Sequence, residues 1–338
     1  MNKLNLKTSA FAMSYISNEE KVRDMVRALD IKMRRQPLSH DPNGIKVTAV
    51  CFRPQRCKNL SDYIEKMNRY VAEPAAQGSA LVAFPELTAL ETMSLMPRFS
   101  SIHADLLKLK KSDIQQQREA FFTVCETVQG FVGEIFLNTF SQLARSHRMI
   151  IAAGGMYHLE NGKIYNRQYL FSEEGDVIGM QDKLFLSETE RRLGVTAGEK
   201  LTPGVSRLGK IALLSGATLG HYEPYWIASR MGCRYAVAAS SPLGRTHNKL
   251  ARFRAQEEKL CVIVPGLCGG KEYGLSLSSA AGIYMPRAAA PEQGGVMAET
   301  VTEPFVTERV DLASAAQYFD MYSDDKNMRF FQKLISEE

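Results

Sequence analysis

Short apolar runs and longer segments of helical character alternate along this chain. Residues 46–52, 80–84, 149–153, 210–214, 235–239 and 261–265 are compact runs dominated by apolar residues. Runs of that length without polar alternation are expected of strands buried on both faces. Between them, residues 61–77, 116–146, 224–231 and 247–260 read as helices. Pro74 is expected to end or kink the first of these. Gly130 or Gly133 is expected to break the second. Asn161-Gly162 marks a hairpin turn, with returning strands at 168–172 and 176–180. Strands alternating with helices in this way imply a layered α/β domain.

Two stretches stand apart from the alternation. Residues 17–35 read as an amphipathic helix, with Val22, Met25, Val26, Leu29 and Met33 on one face. Ser17 and Glu20 have capping-box spacing at its start, and turn formers break the chain over 36–44. Residues 1–44 are therefore expected to be a helical extension ahead of a main domain at 45–315, with a tail at 316–338 placed at a subunit interface. Residues 95–118 are polar, basic and weakly periodic, and read as either a lid or a surface excursion.

The strand at 80–84 runs straight into Pro85-Glu86. A carboxylate directly after a buried strand lies where α/β folds usually place their chemistry. Lys183 follows the last strand of the hairpin region, and Glu223 opens a helix. Singly these are weak signals; their order and spacing together resemble the nitrilase (carbon–nitrogen hydrolase) superfamily. Phe84-Pro85-Glu86 is similar to its first motif. Gly154-Gly155, Gly162-Lys163-Ile164-Tyr165-Asn166, Phe171 to Gly175 and Val177-Ile178-Gly179 are similar to its hairpin. Arg254-Ala255-Gln256-Glu257 is similar to its Arg-Ala-x-Glu helix. The resemblance covers about residues 46–315 and implies a four-layer αββα sandwich of two mixed sheets.

The resemblance also implies a mechanism. In such enzymes a cysteine thiolate attacks an amide or nitrile carbon, a glutamate moves protons, and a lysine stabilises the charged intermediate. Glu86 takes the place of the base and Lys183 that of the cation. A second glutamate is expected shortly after the lysine, where Glu188 and Glu190 both stand. The nucleophile's place falls on Gly216, whether counted forward from Lys210 or back from Glu223. Ala217-Thr218 also replaces the family's continuation after the cysteine. A residue without a side chain attacks nothing, so three readings follow: a protein that binds a small amide- or carboxylate-like ligand without thiol chemistry, an amide hydrolase of another kind, or an oligomeric interaction protein.

For the second reading, Ser215, Thr218 or a Glu86-activated water would replace the thiol. Ser215 faces away from the thiol's direction unless a one-residue bulge turns it. Cys268 follows a core strand and reads as a small loop hydrophobe. A bare glycine is expected to leave the pocket roomier. Glu86 and Lys183 also have a purely structural reading as a buried pair holding each other in place. For the third reading, the resemblance implies pairing into a homodimer or higher oligomer through helices near Glu223.

Composition narrows the partners. A chain of 338 residues with 45% apolar content is one large domain or two ordinary ones. Its net charge of +5 is mild, and the basic stretches at 32–35 and 108–111 carry no interleaved aromatics, so no nucleic-acid partner is expected. Six cysteines occur without a Cys-x-x-Cys pair or a nearby His cluster, so no metal is expected. Those in apolar runs read as reduced core residues. No glycine-rich phosphate loop follows a strand, and no cofactor is expected. No apolar run is read as long enough to span a bilayer, so the expected location is cytoplasmic, with no membrane partner.

Overall fold

The computed structural model describes residues 3–29, 44–109, 112–240, 246–269, 279–286 and 294–311. The end of the helix expected over 17–35, most of the turn after it and the tail at 316–338 lie outside the described residues.

Two helices come first, α1 (Lys3–Ser14) and α2 (Glu19–Ala28). Next are β1 (Ile45–Phe52), α3 (Leu60–Ala76) and β2 (Ser79–Ala83). A 3-10 turn at Thr88–Leu95 and α4 (Phe99–Leu109) precede the long α5 (Ile114–His147). The strands β3 (Ile150–Glu160), β4 (Lys163–Phe171) and β5 (Val177–Asp182) form a meander, followed by α6 (Glu188–Leu193), β6 (Val195–Thr196) and β7 (Gly204–Ser206). Then come β8 (Gly209–Ser215), a 3-10 turn at Gly216–Gly220, α7 (Glu223–Arg230), β9 (Cys233–Ala239), α8 (Thr246–Glu258) and β10 (Cys261–Val264). The described chain closes with β11 (Gly266–Leu267), β12 (Ala281–Tyr284), β13 (Val296–Thr300) and β14 (Phe305–Val310).

Both sheets are mixed. The first runs β11-β1-β2-β3-β4-β5, with β14 also on β1 and β6 on β4; the second runs β13-β12-β10-β9-β8-β7. Side-chain alternation along the strands sorts the core into layers. Val47, Ala49, Leu81, Ala83 and Ile150 of the first sheet meet Ile211, Leu213, Val237 and Ile263 of the second. Val50, Val82 and Ile151 face the other way, toward α3 and α5. Ala212, Leu214, Ala236 and Val262 face α7 and α8. The result is the expected sandwich of two sheets between two helical layers.

Several local expectations need correction. Asn18, not Ser17, caps α2, accepting from the Lys21 backbone N–H at 2.9 Å. Ser17 instead donates to Glu134 on α5 at 2.8 Å. The helix α1 was not expected; it buries Leu6, Ala10 and Met13. Neither Gly130 nor Gly133 breaks α5, because packing on both sides outweighs a glycine cost of about 1 kcal/mol. One apolar stretch does reach bilayer length: α5 is long and apolar enough to cross a membrane by length and composition. In this fold its buried face lies on β3 and under α1, α2 and α3. Cys51 and Cys268 are joined in a disulfide across 217 residues of sequence, so the reading of Cys51 as a reduced core residue and Cys268 as a mere loop hydrophobe is corrected. Spacing along the chain carries no trace of a pair that only the β1–β11 contact brings together. The other four cysteines are free and buried.

Candidate functional site

Three strand ends meet at one point between the sheets. Glu86 follows β2, Lys183 follows β5, and Gly216 follows β8. The backbone fixes each approach. Phe84 N–H continues the β2–β3 pairing to Ala152 O at 2.8 Å. Gly154 lets the chain at Pro85 come close, since a Cβ there would overlap the Pro85 carbonyl. Leu87, next after Glu86, holds a left-handed conformation (φ 57°), a strained state for a bulky residue that clusters at functional sites. Lys183 is pinned on both sides: its N–H donates to Asn166 O and its carbonyl accepts from Gly198 N–H, each at 2.9 Å.

The side chains form one closed cluster. Lys183 Nζ donates to Glu86 Oε1 at 2.6 Å and to Glu190 Oε2 at 2.7 Å. Asn166 Nδ2 spans the same two carboxylates, at 2.6 Å to Glu86 Oε1 and 2.9 Å to Glu190 Oε1. All four residues are buried. Of the two glutamates expected after the lysine, Glu190 is the partner, while Glu188 is exposed. A capping box places it: Ser187 Oγ accepts from Glu190 N–H at 3.2 Å, and the Glu190 carboxylate accepts from Ser187 N–H at 2.8 Å. The Ser187-x-x-Glu190 spacing is a sequence signal that distinguishes the two glutamates. In the sequence Asn166 is one residue of the hairpin motif with no signal of a role of its own; only the fold shows it buried and bridging the two carboxylates.

Burial raises the Glu86 carboxyl above its usual range, and the Glu190 charge adds to this against Lys183 and Asn166. Burial also works to raise Glu190, but the Lys183 charge and the hydrogen bonds from Lys183, Asn166 and Ser187 outweigh it and hold that carboxyl low. Lys183 is held above the ordinary lysine range: its two carboxylates outweigh the cost of burial. The three groups titrate as a unit, with the ammonium retained and Glu86 the readier carboxylate to take a proton.

Gly216 adopts φ +49° at the turn out of β8, and a Cβ built there falls within 3 Å of Lys183 Nζ and both Glu86 carboxylate oxygens. The expectation of a roomier pocket at the glycine is therefore corrected. The ion pair occupies the space a side chain would fill, and there two carboxylates share one ammonium. Ser215 stays extended (φ −141°, ψ 147°), and the one register shift between β8 and β9 lies at Lys210/Ile211, far from it. Its hydroxyl is buried without a hydrogen-bond partner, so Glu86 does not contact it. Thr218 is engaged elsewhere, accepting from Phe185 N–H at 3.2 Å. Neither hydroxyl is placed for activation by Glu86.

A cavity of about 550 Å³ opens beside the cluster, lined by Glu86, Lys183, Ser187 and Glu190. Phe99, His103 and Leu106 of α4 form part of its wall, so the stretch over 95–118 is neither a bare excursion nor featureless. A second buried cluster borders the same cavity through Glu91. Lys66 Nζ donates to both Glu91 oxygens, at 2.7 and 2.8 Å, and the Cys57 thiol donates to Glu91 Oε1 at 3.3 Å. Among the described residues no group of His, Cys, Asp and Glu has the arrangement of a metal site.

Residues 46–297 match the family model described as carbon-nitrogen hydrolase. A probable hydrolase of Bacillus subtilis, YhcX, is 22% identical over 264 residues, covering 76% of this chain and 47% of its own length. The Drosophila melanogaster nitrilase and fragile histidine triad fusion protein is 25% identical over 156 residues, covering 43% of this chain and 34% of its own. This chain thus spans half or less of the curated relatives it matches. Among solved structures, a carbon-nitrogen hydrolase from Helicobacter pylori G27 superposes with a TM-score of 0.64 at 15% identity, over 87% of this chain and 99% of that one. Saccharomyces cerevisiae Nit3, of branch 10 of the nitrilase superfamily, gives 0.62 at 17% identity, over 85% and 97%. At these identities the likeness is one of fold.

Proposed function

The chain belongs to the carbon-nitrogen hydrolase family, and from that premise we propose that it is a member without thiol-dependent hydrolysis, one that binds a small amide- or carboxylate-like metabolite. One observation carries the reading: Glu86 and Lys183 occupy the space into which a side chain at Gly216 would project. A thiol hydrolase needs a nucleophile there, a base beside it and room for a tetrahedral intermediate. Here the base and the cation are spent on each other and on Glu190. The cavity next to them survives, at a size usual for small-molecule sites.

The test is a panel of amides, nitriles and N-carbamoyl compounds, assayed for ammonia or amine release. The reading expects no turnover with any of them. Turnover that disappears in Glu86→Gln would overturn it and favour the alternative of a Glu86-activated water or a hydroxyl nucleophile.

A specific surface supports a further element, pairing with a second copy. Tyr222, Trp226, Ile227 and Met231 along α7 and Phe253 on α8 are each exposed by a third or more. A grouped apolar surface of this kind is what subunit interfaces present. Light scattering is expected to show a dimer or a higher assembly of dimers. A stable dilute monomer would remove this element and leave the binding reading untouched.

A further inference from the structure

The charges facing the cavity do not balance. Glu86, Glu91 and Glu190 line it, and Lys183 is the one lysine that does so among the described residues. Lys66, which neutralises Glu91, lies behind that carboxylate. Three donors at the polar end are already used: Lys183 Nζ and Asn166 Nδ2 each bridge Glu86 and Glu190, and Ser187 Oγ donates to Glu190 Oε2. Acceptor capacity remains, since Glu86 Oε2 takes no hydrogen bond within the described protein. The other titratable side chains lining this space are Tyr157 and His103, the latter stacked on Phe99 with ring centroids 5.6 Å apart. Beyond the carboxylates much of the wall is apolar, with Phe52, Leu90, Met93, Phe99, Leu106 and Leu267.

An occupant must match both ends. A carboxylate head would enter a space that already faces more carboxylates than cations, an unfavourable burial. An ammonium head brings donors to the carboxylates that line the cavity and restores charge balance, two carboxylates then facing two cations. The apolar wall demands a hydrocarbon body behind that head. Resting on the reading of this site as one that binds without hydrolysing, and replacing the amide- or carboxylate-like head group named there, we propose that its occupant is a primary amine, carried as its ammonium ion on an apolar body.

Isothermal titration of the full chain with hexylamine, hexanamide, hexanoate and methylamine tests this. Hexylamine is expected to bind about tenfold or more tightly than hexanoate, from charge, and than methylamine, from apolar contact. Glu190→Gln is expected to weaken hexylamine by about tenfold while changing hexanamide little. The ranking of the four probes on the unaltered protein decides the matter even if that variant does not fold. Preference for hexanoate or hexanamide would overturn the amine assignment and leave the binding function standing. Methylamine binding as well as hexylamine would overturn the apolar body. Failure of all four to bind would remove both the amine and the binding function it rests on.

Discussion

Lys66 and Lys183 are both buried ammonium groups paired with glutamates at the edge of one cavity, yet their surroundings differ in stoichiometry. Lys66 meets one carboxylate, and Glu91 is further held by the Gln55 N–H and the Cys57 thiol. That cluster is balanced, and every oxygen is used. Lys183 meets two carboxylates, and one oxygen of Glu86 is left over beside a glycine. The first cluster even contains the cysteine, glutamate and lysine of a thiol hydrolase. Burial and the Glu91 charge push its thiol up to about 12, however, so the sulfur is a proton donor and not a nucleophile. Composition of a triad says little without its geometry. A saturated cluster holds structure, and an unsaturated one has capacity for a ligand.

The largest expected break in this comparison comes from the lysines. Lys66→Met strands one buried carboxylate and should cost about 3–5 kcal/mol. Lys183→Met strands two that face each other and should cost more. Urea unfolding of both variants measures the difference; equal losses would mean the clusters are alike.

Glycines give the next contrast. Gly216→Ala combines left-handed strain with overlap onto Lys183 and Glu86 and should destabilise by about 3 kcal/mol. Gly194→Ala has left-handed strain (φ +83°) with open space around it and should lose about 1 kcal/mol. Similar melting temperatures for the two variants would show that the ion pair yields easily.

The carboxyls should respond to pH with opposite signs. Glu190 is held below the ordinary value of 4.5, so its contribution is present above that pH and is lost as pH falls through the lowered value. Glu91 is raised by burial despite Lys66, so its contribution is present below 4.5 and is lost as pH rises through the raised value. Melting profiles of Glu190→Gln and Glu91→Gln, compared with the unaltered protein, should therefore differ on opposite limbs. The smallest effect is at Cys57: its raised thiol should resist iodoacetamide at neutral pH in the folded protein, and rapid native labelling would contradict the saturated-cluster reading.

Much of the sandwich was legible because continuous apolar runs such as 80–84 and 261–264 admit little but buried strands. The meeting of Glu86, Lys183 and Gly216 was legible through the family resemblance that the order and spacing of their motifs carry. What escaped has a common cause in distance along the chain. Cys57, Lys66 and Glu91 come from a loop, a helix and a 3-10 turn, and no pattern on any one of them announces the others. The Cys51–Cys268 disulfide likewise joins distant segments. Asn166 escaped for another reason: one asparagine on a strand does not say which carboxylates it will span. The filling of the space at Gly216 is something that only the folded arrangement displays.

Intact-mass spectrometry, on protein quenched during incubation with activated amides and esters, tests the vacancy at Gly216 most directly. The account predicts an unshifted mass at every time point. An acyl adduct mapped to Ser215, Thr218 or any cysteine near Glu86 and Lys183 would show that a nucleophile remains and would contradict it.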